Sequence, residues 1–478
     1  MSTLRKKTML FDRTIFVSMA AAFLFCFSSL ASGSFDRAME IYSDGRFEEA
    51  RSAFETMAAI GDAASLFNLG VMYFRGEAVE RDPVKAYVLM KVANEGVNDE
   101  SFTKTTQVIF SKLDDTQKKK SEELYREFAL IYGAESIKNN IFPELLDDKD
   151  CPPDIEPLKR GTPNYPRREV QNGRMGLVTA EFTISPEGYP REIHITSATS
   201  EAFYRATLAA LDDYLYPPTL NKKPRSERHT TIYQLDSTIS QVSTDKLLAE
   251  LDNLKAKSID GNILAQYKYA QRLNTYRHFN DYFKERDIQY REANEWFTQS
   301  AAAGVANSQF EIGRNMLEGR GCKVDKKNGF KWIKASAVGG YSPAQRFLAN
   351  SEIHDIAISN NRAESIMSWL RNAAQDKISG FPSKVLLAWE LVTSPEKSLL
   401  DPDEALALIE NPPYTFKDDI RIMETNAAAY ALKNNYKKAI KLQKKALKAA
   451  KRKGWSIPKI TKRLEQYEKK QTYIGSYY

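Results

Sequence analysis

Apolar residues follow two different periods along this 478-residue chain. Between residues 34 and 133, and again after residue 245, alanine, leucine and aromatic residues recur every three or four positions, which gives each helix one apolar face. From Gly176 to Thr196 the apolar positions recur every two residues, which is typical of strands with one buried face. The pattern predicts an α+β protein in which all-α helical-repeat (solenoid) segments flank a small strand–strand–helix–strand domain.

An internal repeat supports the helical part of this prediction. Residues 49–96 align without a gap onto residues 292–339, and three tryptophans follow one another at intervals of 36 and 37 residues. Self-similarity at about this period signals helix pairs that stack, because one pair cannot bury its apolar face alone. The identical pairs include Gly61/Gly304, Gly76/Gly319 and Gly96/Gly339, and the tryptophans are Trp296, Trp332 and Trp369.

The repeats carry small and aromatic residues in a recognisable order. This order resembles the SEL-like repeat, a relative of the tetratricopeptide repeat, and the segment around Tyr430 and Tyr436 looks like a tetratricopeptide unit. The resemblance implies docking of other proteins on a concave surface without catalysis. The positions that carry it in the first repeat are Ala63, Leu69, Gly70, Tyr73, Gly76, Val79, Asp82, Ala86, Ala93 and Gly96.

The central segment has a different organisation. Polar and proline-rich residues at 134–162 predict a linker. Residues 177–184 and 191–196 alternate around a turn at 185–188, which predicts a hairpin. Residues 201–214 predict an amphipathic helix, and residues 230–235, rich in β-forming side chains, predict a third strand.

Residues 163–236 resemble the C-terminal domain of the TonB energy-transducer family. In that family the last strand is an edge that pairs with a short peptide of an outer-membrane receptor or with a second copy, since an edge exposes unpaired N–H and C=O groups. The alternative is that this last strand is fully paired inside its own sheet or covered by the flanking helices. The resemblance rests on Tyr165-Pro166, Gly176-Leu177-Val178, Phe182-Thr183-Ile184, Pro186 with Gly188, Ile193, Ile195-Thr196-Ser197, Ala206, Leu208, Ala210-Leu211, Tyr216 and Pro218. The predicted binding residues are Thr230, Thr231, Ile232, Tyr233, Gln234 and Leu235.

The first 33 residues have the composition of an export signal. A basic start is followed by an uncharged run at residues 14–35 and by small residues before Ser34. The most apolar part, residues 15–27, is shorter than the about 20 residues that span a bilayer, so we favour a cleaved secretory signal and a periplasmic protein. The alternative is an inner-membrane anchor formed by residues 14–35.

The sequence contains few residues that could carry out catalysis or bind a metal. The chain has three cysteines and four histidines, with no Cys-x-x-Cys pair and none of the phosphate-loop, nucleophile-elbow or zinc-protease motifs. We therefore expect no catalytic residue, no metal and no cofactor, and an enzyme acting on envelope polymers is disfavoured. Cys151 and Cys322 survive signal cleavage, and their pairing in an oxidising compartment stays open.

The net charge of +7 is unevenly distributed. Residues 433–470 contain 13 Lys and 2 Arg against two Glu, a surplus of +13, which leaves −6 for the remaining chain. Nucleic-acid binding by the whole chain is therefore not indicated. The lysines are expected to form a solvated helix face, with attraction to an anionic membrane surface as the functional alternative.

These patterns predict a non-enzymatic envelope adaptor whose TonB-like module binds extended peptides by strand addition, in connection with TonB-dependent outer-membrane transport. The alternative is a membrane-anchored transducer of TonB type. The expected partners are outer-membrane TonB-dependent receptors, inner-membrane energising proteins or a second copy. The predicted domains are 1–33 signal or anchor, 34–133 SEL-like repeats, 134–162 linker, 163–237 TonB-like domain, 245–412 SEL-like repeats and 413–478 tetratricopeptide-like basic helices.

Overall fold

A computed structural model of the chain shows a helical solenoid built around a three-stranded sheet. No helix among the described residues is both long and apolar enough to cross a membrane. The predicted signal or anchor, apart from Gly33, lies outside the described residues. The structure describes residues 33–97, 99–153, 155–219, 224–235, 241–282, 286–353, 362–376, 380–413, 416, 419–475 and 477.

Seven helices of the described residues form an N-terminal block. Helix α3 begins after Asp62, whose carboxylate accepts a hydrogen bond from the Ser65 N–H, and ends at Gly76 with φ of 73°. This left-handed end favours glycine, which explains the Gly76 signal in the sequence. The helices are α1 Ser34–Ser43, α2 Phe47–Ala58, α3 Ala63–Arg75, α4 Pro83–Val97, α5 Glu100–Ser111, α6 Asp115–Tyr132 and α7 Ala134–Asn140.

The second half of the chain continues the helical stack. Helices α12 and α13 repeat α2 and α3 at the offset found in the sequence, and α13 ends at Gly319 with φ of 75°, like Gly76. The helices are α10 Gln241–Ile259, α11 Ile263–Tyr276, α12 Tyr290–Ala302, α13 Ala306–Glu318, α14 Lys326–Val338, α15 Ser342–Ile353, α16 Arg362–Ala374, α17 Phe381–Thr393, α18 Pro402–Leu408, α19 Ile420–Leu432, α20 Tyr436–Arg452 and α21 Pro458–Glu468.

The two repeat blocks share one hydrophobic core. Phe54, Met57, Phe297 and Trp332 belong to the same buried cluster. Ser34 N–H donates to the Gly304 carbonyl oxygen at 3.1 Å, which ties the start of α1 to the turn between α12 and α13. The repeats therefore form one body across a sequence gap of more than 200 residues.

The stretch predicted as a linker is packed. Its first residues form α7, and the Trp332 indole N–H donates to the Ile141 carbonyl oxygen at 3.2 Å. Leu145 forms an isolated antiparallel bridge with Cys322, and the Gly321 N–H donates to the Cys151 Sγ at 3.1 Å. Both cysteines are free thiols in the structure. Proline and polar composition predicted only a linker here, because these tertiary contacts have no local signal in the sequence.

The β domain lies between the two repeat blocks in sequence. Its order follows the predicted strand–strand–helix–strand pattern after a short first helix, and its sheet has the order β2-β1-β3 with both pairings antiparallel. The third strand starts five residues earlier than expected and ends at Tyr233. The elements are α8 Arg167–Gln171, β1 Gly176–Ile184, β2 Pro190–Ala198, α9 Glu201–Leu211 and β3 Arg225–Tyr233.

The helices of the solenoid pack against this sheet. One face of β1 packs against α9 through Phe182, Leu211 and Tyr216. The opposite face, polar in the sequence, meets the helices: the Arg314 guanidinium on α13 lies 3.3 Å from the Glu181 carboxylate on β1. Both faces of the central strand are therefore buried within the chain.

Candidate functional site

Strand β3 forms the more regular edge of the sheet. Nine consecutive residue pairs join it to β1, from Gly176↔Tyr233 to Ile184↔Arg225, without a register shift. The pairing of β2 with β1 shifts twice, and Glu192 in β2 has φ of 55°. Irregularities and charged side chains of this kind protect an edge against further pairing. Among the described strands, β3 is the edge better suited to accept another strand.

The pairing pattern shows which amide groups of β3 point outward. Leu177 faces β2, because the Thr199 N–H donates to its carbonyl oxygen at 3.0 Å. Its neighbour Val178 therefore faces β3, where it pairs with Thr231. Every second amide of β3, counted from Thr231, bonds to β1. The outward-facing amides belong to Ser226, Arg228, Thr230 and Ile232.

The outward amide of Arg228 is already occupied. Its N–H donates to the carboxylate of Glu227 at 3.1 Å, and its carbonyl oxygen accepts a hydrogen bond from the Arg320 guanidinium at 3.5 Å. Arg320 and Glu227 also lie 3.6 Å apart as an ion pair. These two side chains therefore take the hydrogen-bonding positions that a partner strand would fill at Arg228.

Within the described part of the chain, the outward amides of Thr230 and Ile232 are unoccupied. No described residue donates to or accepts from their main-chain groups on the side away from β1. The Thr230 hydroxyl instead lies 3.3 Å from that of Thr179 on the neighbouring strand. The open part of the edge thus starts after Arg228 and runs toward Tyr233.

A cleft of about 250 Å³ lies between this part of β3 and helix α11. His229 and Thr230 line one wall, and Gln271 and Asn274 line the other. The Asn274 Oδ1 is buried without a hydrogen-bond partner among the described residues. The cleft therefore gives access to the outward side of β3 at Thr230.

Part of the predicted linker closes one side of the cleft. Ile155, Pro157 and Arg160 line it, and Lys159 forms an antiparallel bridge with Leu215 that holds this segment against the β domain. The Arg160 guanidinium pairs with Glu156 at the exposed rim. This segment therefore contributes to the site and does more than connect two domains.

Burial changes the protonation of two cleft residues. Burial raises the pKa of Glu227 to about 7, with Glu318 adding to the effect and Arg320 opposing it. Burial lowers the pKa of His278 to about 3, and the charges of Arg277 and Arg320 lower it further. His278 is consequently neutral near pH 7, while Glu227 titrates there.

A buried charge cluster fixes the sheet behind the cleft. The Glu181 carboxylate, about 10% exposed, lies within 4 Å of three guanidinium groups. Burial alone lowers the pKa of Arg228, but the carboxylates of Glu311 and Glu318 outweigh it and the pKa is raised. Full charges are thus retained inside the interface because each has partners. The guanidinium groups around Glu181 belong to Arg228, Arg314 and Arg346.

The six residues predicted as a binding strand have different environments. Tyr233 is buried against Phe203 in the β-domain core, and its hydroxyl lies 2.9 Å from that of Thr207. Ile232 packs against the core shared with the repeats. Thr230 lines the cleft, Thr231 is buried, and Gln234 and Leu235 follow the end of the strand. Their role in binding stays a prediction.

Sequence reasoning missed the residues that limit the open edge. Glu227 and Arg228 lie in the part of β3 that was not predicted, because their charges hide the strand pattern. Arg320 follows a repeat glycine some 90 residues further along, so only the tertiary structure brings it to the strand. No group of three or more metal-ligating side chains occurs among the described residues.

Comparison with known families assigns the β domain. Residues 161–235 match the family described as Gram-negative bacterial TonB protein C-terminal. The TonB-like domain therefore includes the whole sheet, α9 and the entrance segment, as the sequence resemblance predicted. TonB C-terminal domains point to the cell envelope, which fits the broader prediction of an envelope protein.

The helical blocks match a second family. Residues 63–96, 263–305 and 306–340 match the Sel1 repeat. These matches confirm the predicted SEL-like repeats on both sides of the TonB-like domain. Both matched families are non-catalytic interaction domains, so the chain combines two kinds of protein-interaction domain.

Two solved structures of repeat proteins are similar to this chain. A Sel1 repeat protein from Oxalobacter formigenes has 18% identity and a TM-score of 0.32, covering 44% of this chain and 84% of its own. A protective antigen of uropathogenic Escherichia coli that displays an SLR fold has 15% identity and a TM-score of 0.33, covering 92% of this chain and 80% of its own. No curated protein matches the chain.

Proposed function

We propose that this protein is a periplasmic adaptor that captures an extended segment of another protein by adding it as a strand to β3. Two outward amides carry this proposal: that of Thr230, which lines the cleft, and that of Ile232, which follows it along the strand. An extended peptide satisfies such amides through main-chain hydrogen bonds, and pockets beside the strand select its side chains. Arg228 marks the end of the added strand, because Glu227 and Arg320 occupy its amide.

The packing of the TonB-like domain favours an adaptor over an anchored transducer. A transducer works at a distance from its membrane, whereas this domain is held inside the solenoid by the buried Glu181 cluster. Arg421 on α19 adds a further ion pair to Glu192 on β2, with both side chains buried. The domain therefore moves together with its repeats.

The proposed partners follow from the two domain families. Outer-membrane TonB-dependent receptors and inner-membrane energising proteins are the expected classes, which links the adaptor to TonB-dependent transport. A second copy of this chain is the third candidate, through pairing of two β3 edges. In each case the captured element is an extended segment.

A peptide selection tests strand addition without a known partner. Linear heptapeptides displayed on phage are selected on the purified protein, and the enriched peptides are measured by fluorescence anisotropy. Thr230→Pro removes an outward N–H but no hydrogen bond to β1, so we expect binding to be lost while the fold is kept.

The chain offers a matched control on the same strand. The Ser226 amide also points outward, but it lies beyond the occupied amide of Arg228. Ser226→Pro should therefore bind the selected peptides like the unmodified protein. Equal binding by the Thr230→Pro protein would reject β3 as the capture site.

A further inference from the structure

The segment that follows α21 packs back onto earlier helices. Residues 469–475 and Tyr477, here called the tail segment, contact helices α17 and α19. The Gly475 N–H donates to the Thr393 carbonyl oxygen on α17 at 2.9 Å. The Arg463 guanidinium on α21 donates to the Tyr477 carbonyl oxygen at 3.3 Å. The main chain of the tail segment is thus bound at two points by helices that precede it.

Aromatic side chains anchor the tail segment. The Tyr477 ring meets the Trp389 ring edge to face at a centroid distance of 4.9 Å, and the Tyr473 ring lies 6.0 Å from the same indole. Trp389 is 1% exposed, and both tyrosine rings lie against its indole. Aromatic pairs of this geometry stabilise the contact beyond the burial of their area.

Two guanidinium groups complete the groove. Arg421 lies 4.2 Å from the centre of the Tyr477 ring, and Arg463 lies within 5.2 Å of both tyrosine rings. Arg463 is held by the buried Glu424 carboxylate at 2.9 Å, so its position does not depend on the tail segment. The groove therefore holds two guanidinium groups in positions where they can bind the faces of aromatic rings.

The tail segment leaves hydrogen-bonding capacity unused. The Trp389 Nε1 and the Tyr467 hydroxyl are buried without a partner among the described residues. The Trp389 indole contacts both tyrosines of the tail segment, and Tyr467 belongs to the buried cluster against which Tyr473 packs. Buried donors of this kind are costly unless they are satisfied, so a ligand with acceptors for them would gain hydrogen bonds that the tail segment does not make.

The groove and the TonB-like domain are in contact with the same side chain, Arg421. Arg421 stacks on Tyr477 and pairs with the Glu192 carboxylate of β2. Removal of the Tyr477 ring frees one face of the guanidinium that holds β2. The groove and the TonB-like domain thus share a side chain through which one can respond to the other.

We propose that the groove lined by α17, α19 and α21 is a peptide-binding site, filled in the free protein by its own tail segment. Its external ligand is an extended segment of another protein that presents two aromatic side chains four residues apart, as Tyr473 and Tyr477 are, with a free main-chain N–H between them. The tail segment acts as an internal competitor. This site is separate from the β3 edge and does not depend on the proposed strand addition.

The test uses a labelled peptide with the sequence of residues 472–478. A variant lacking these residues should bind the peptide saturably in fluorescence anisotropy, and a peptide with alanine at both positions equivalent to Tyr473 and Tyr477 should not bind. The complete chain should bind the first peptide at least about tenfold more weakly, because its own tail segment competes. Equal affinity for both proteins would overturn the proposal, and so would failure of the folded truncated variant to bind.

A full-length variant keeps the test decisive if truncation unfolds the chain. Gly475 has φ of 136°, which proline cannot adopt, and Gly475→Pro also removes the N–H donated to Thr393. This variant should gain peptide binding, whereas Ile474→Ala, at an exposed side chain, should not. Light scattering completes the test: a dimer that disappears on truncation would make a second copy the occupant and reject the competitor mechanism.

Discussion

Arg320 donates a hydrogen bond to the carbonyl oxygen of Arg228 across 92 residues of sequence. Arg320 lies in the loop after α13, and its contact with Arg228 marks the end of the unoccupied part of the β3 edge. It separates the open amides of Thr230 and Ile232 from that of Ser226. How much of the β3 edge is left unoccupied is therefore set by the solenoid and not by the TonB-like domain alone.

Removal of Arg320 should lengthen the accepted strand. In Arg320→Ala the Arg228 carbonyl oxygen becomes available, and one additional main-chain hydrogen bond is worth about 0.5–1.5 kcal/mol, or roughly two- to tenfold in affinity for a selected peptide. With the Arg228 carbonyl oxygen free, an added strand can also extend as far as the outward amide of Ser226, so in this background Ser226→Pro should reduce binding, whereas we expect no effect in the unmodified protein. Anisotropy titration of the four proteins measures this coupling, and an absence of coupling contradicts the role assigned to Arg320.

The Glu181 cluster should dominate the docking of the TonB-like domain. Glu181→Ala leaves buried guanidinium groups without their shared carboxylate, and breaking a buried pair in this way costs about 3–5 kcal/mol. Glu156→Ala, which removes an exposed pair with Arg160, is the matched control and should cost at most about 1 kcal/mol. Urea denaturation compares the two variants. Equal losses would mean that the cluster does not hold the interface.

Glu227 should make stability fall as the pH rises toward neutrality. Its pKa is raised from 4.5 to about 7 in the folded chain, so the folded state binds its proton more tightly than the unfolded state. This group therefore favours folding below pH 4.5, and that contribution is lost as the pH rises through 7. Glu318 acts in the opposite sense, since its arginine neighbours outweigh burial and lower its pKa to about 2, so its stabilisation is lost as the pH falls below 4.5.

A single substitution isolates the Glu227 contribution. Glu227→Gln should remove part of the decrease in unfolding free energy between pH 5 and pH 7.5 while leaving the acid limb below pH 4 unchanged. Urea denaturation at several pH values provides the measurement. An unchanged slope between pH 5 and 7.5 contradicts the raised pKa of this carboxyl group.

The basic face of α20 should bind anionic vesicles only at low ionic strength. Ala439, Gln443, Ala446 and Ala450 form the buried side of this helix, and the lysines between them are exposed. Attraction between exposed charges is screened over about 8 Å at physiological salt. Co-sedimentation with phosphatidylglycerol vesicles should therefore fade as salt rises and be lost when four lysines are replaced by glutamine. Salt-independent binding would contradict an electrostatic surface. The lysines to replace are Lys437, Lys441, Lys445 and Lys448.

The sequence predicted the repeats and the TonB-like domain because each has a local signal. The helical glycines Gly76 and Gly319 mark left-handed helix ends, and the alternation after Gly176 marks strands. The start of β3 escaped prediction because Glu227 and Arg228 interrupt the apolar pattern, and their charges are explained only by partners on α13 and at Arg320. The packing of residues 141–151 also depends on contacts with distant residues such as Trp332 and Gly321.

Hydrogen exchange at individual amides of β3 tests the open edge most directly. In the free protein we predict rapid exchange at Thr230 and Ile232, whose amides point away from β1, and slow exchange at His229 and Thr231, whose amides bond to it. The Arg228 amide should be intermediate because the Glu227 carboxylate accepts its hydrogen bond. Slow exchange at all five positions would show that the outer side of the strand is covered, and would contradict the capture of a further strand there.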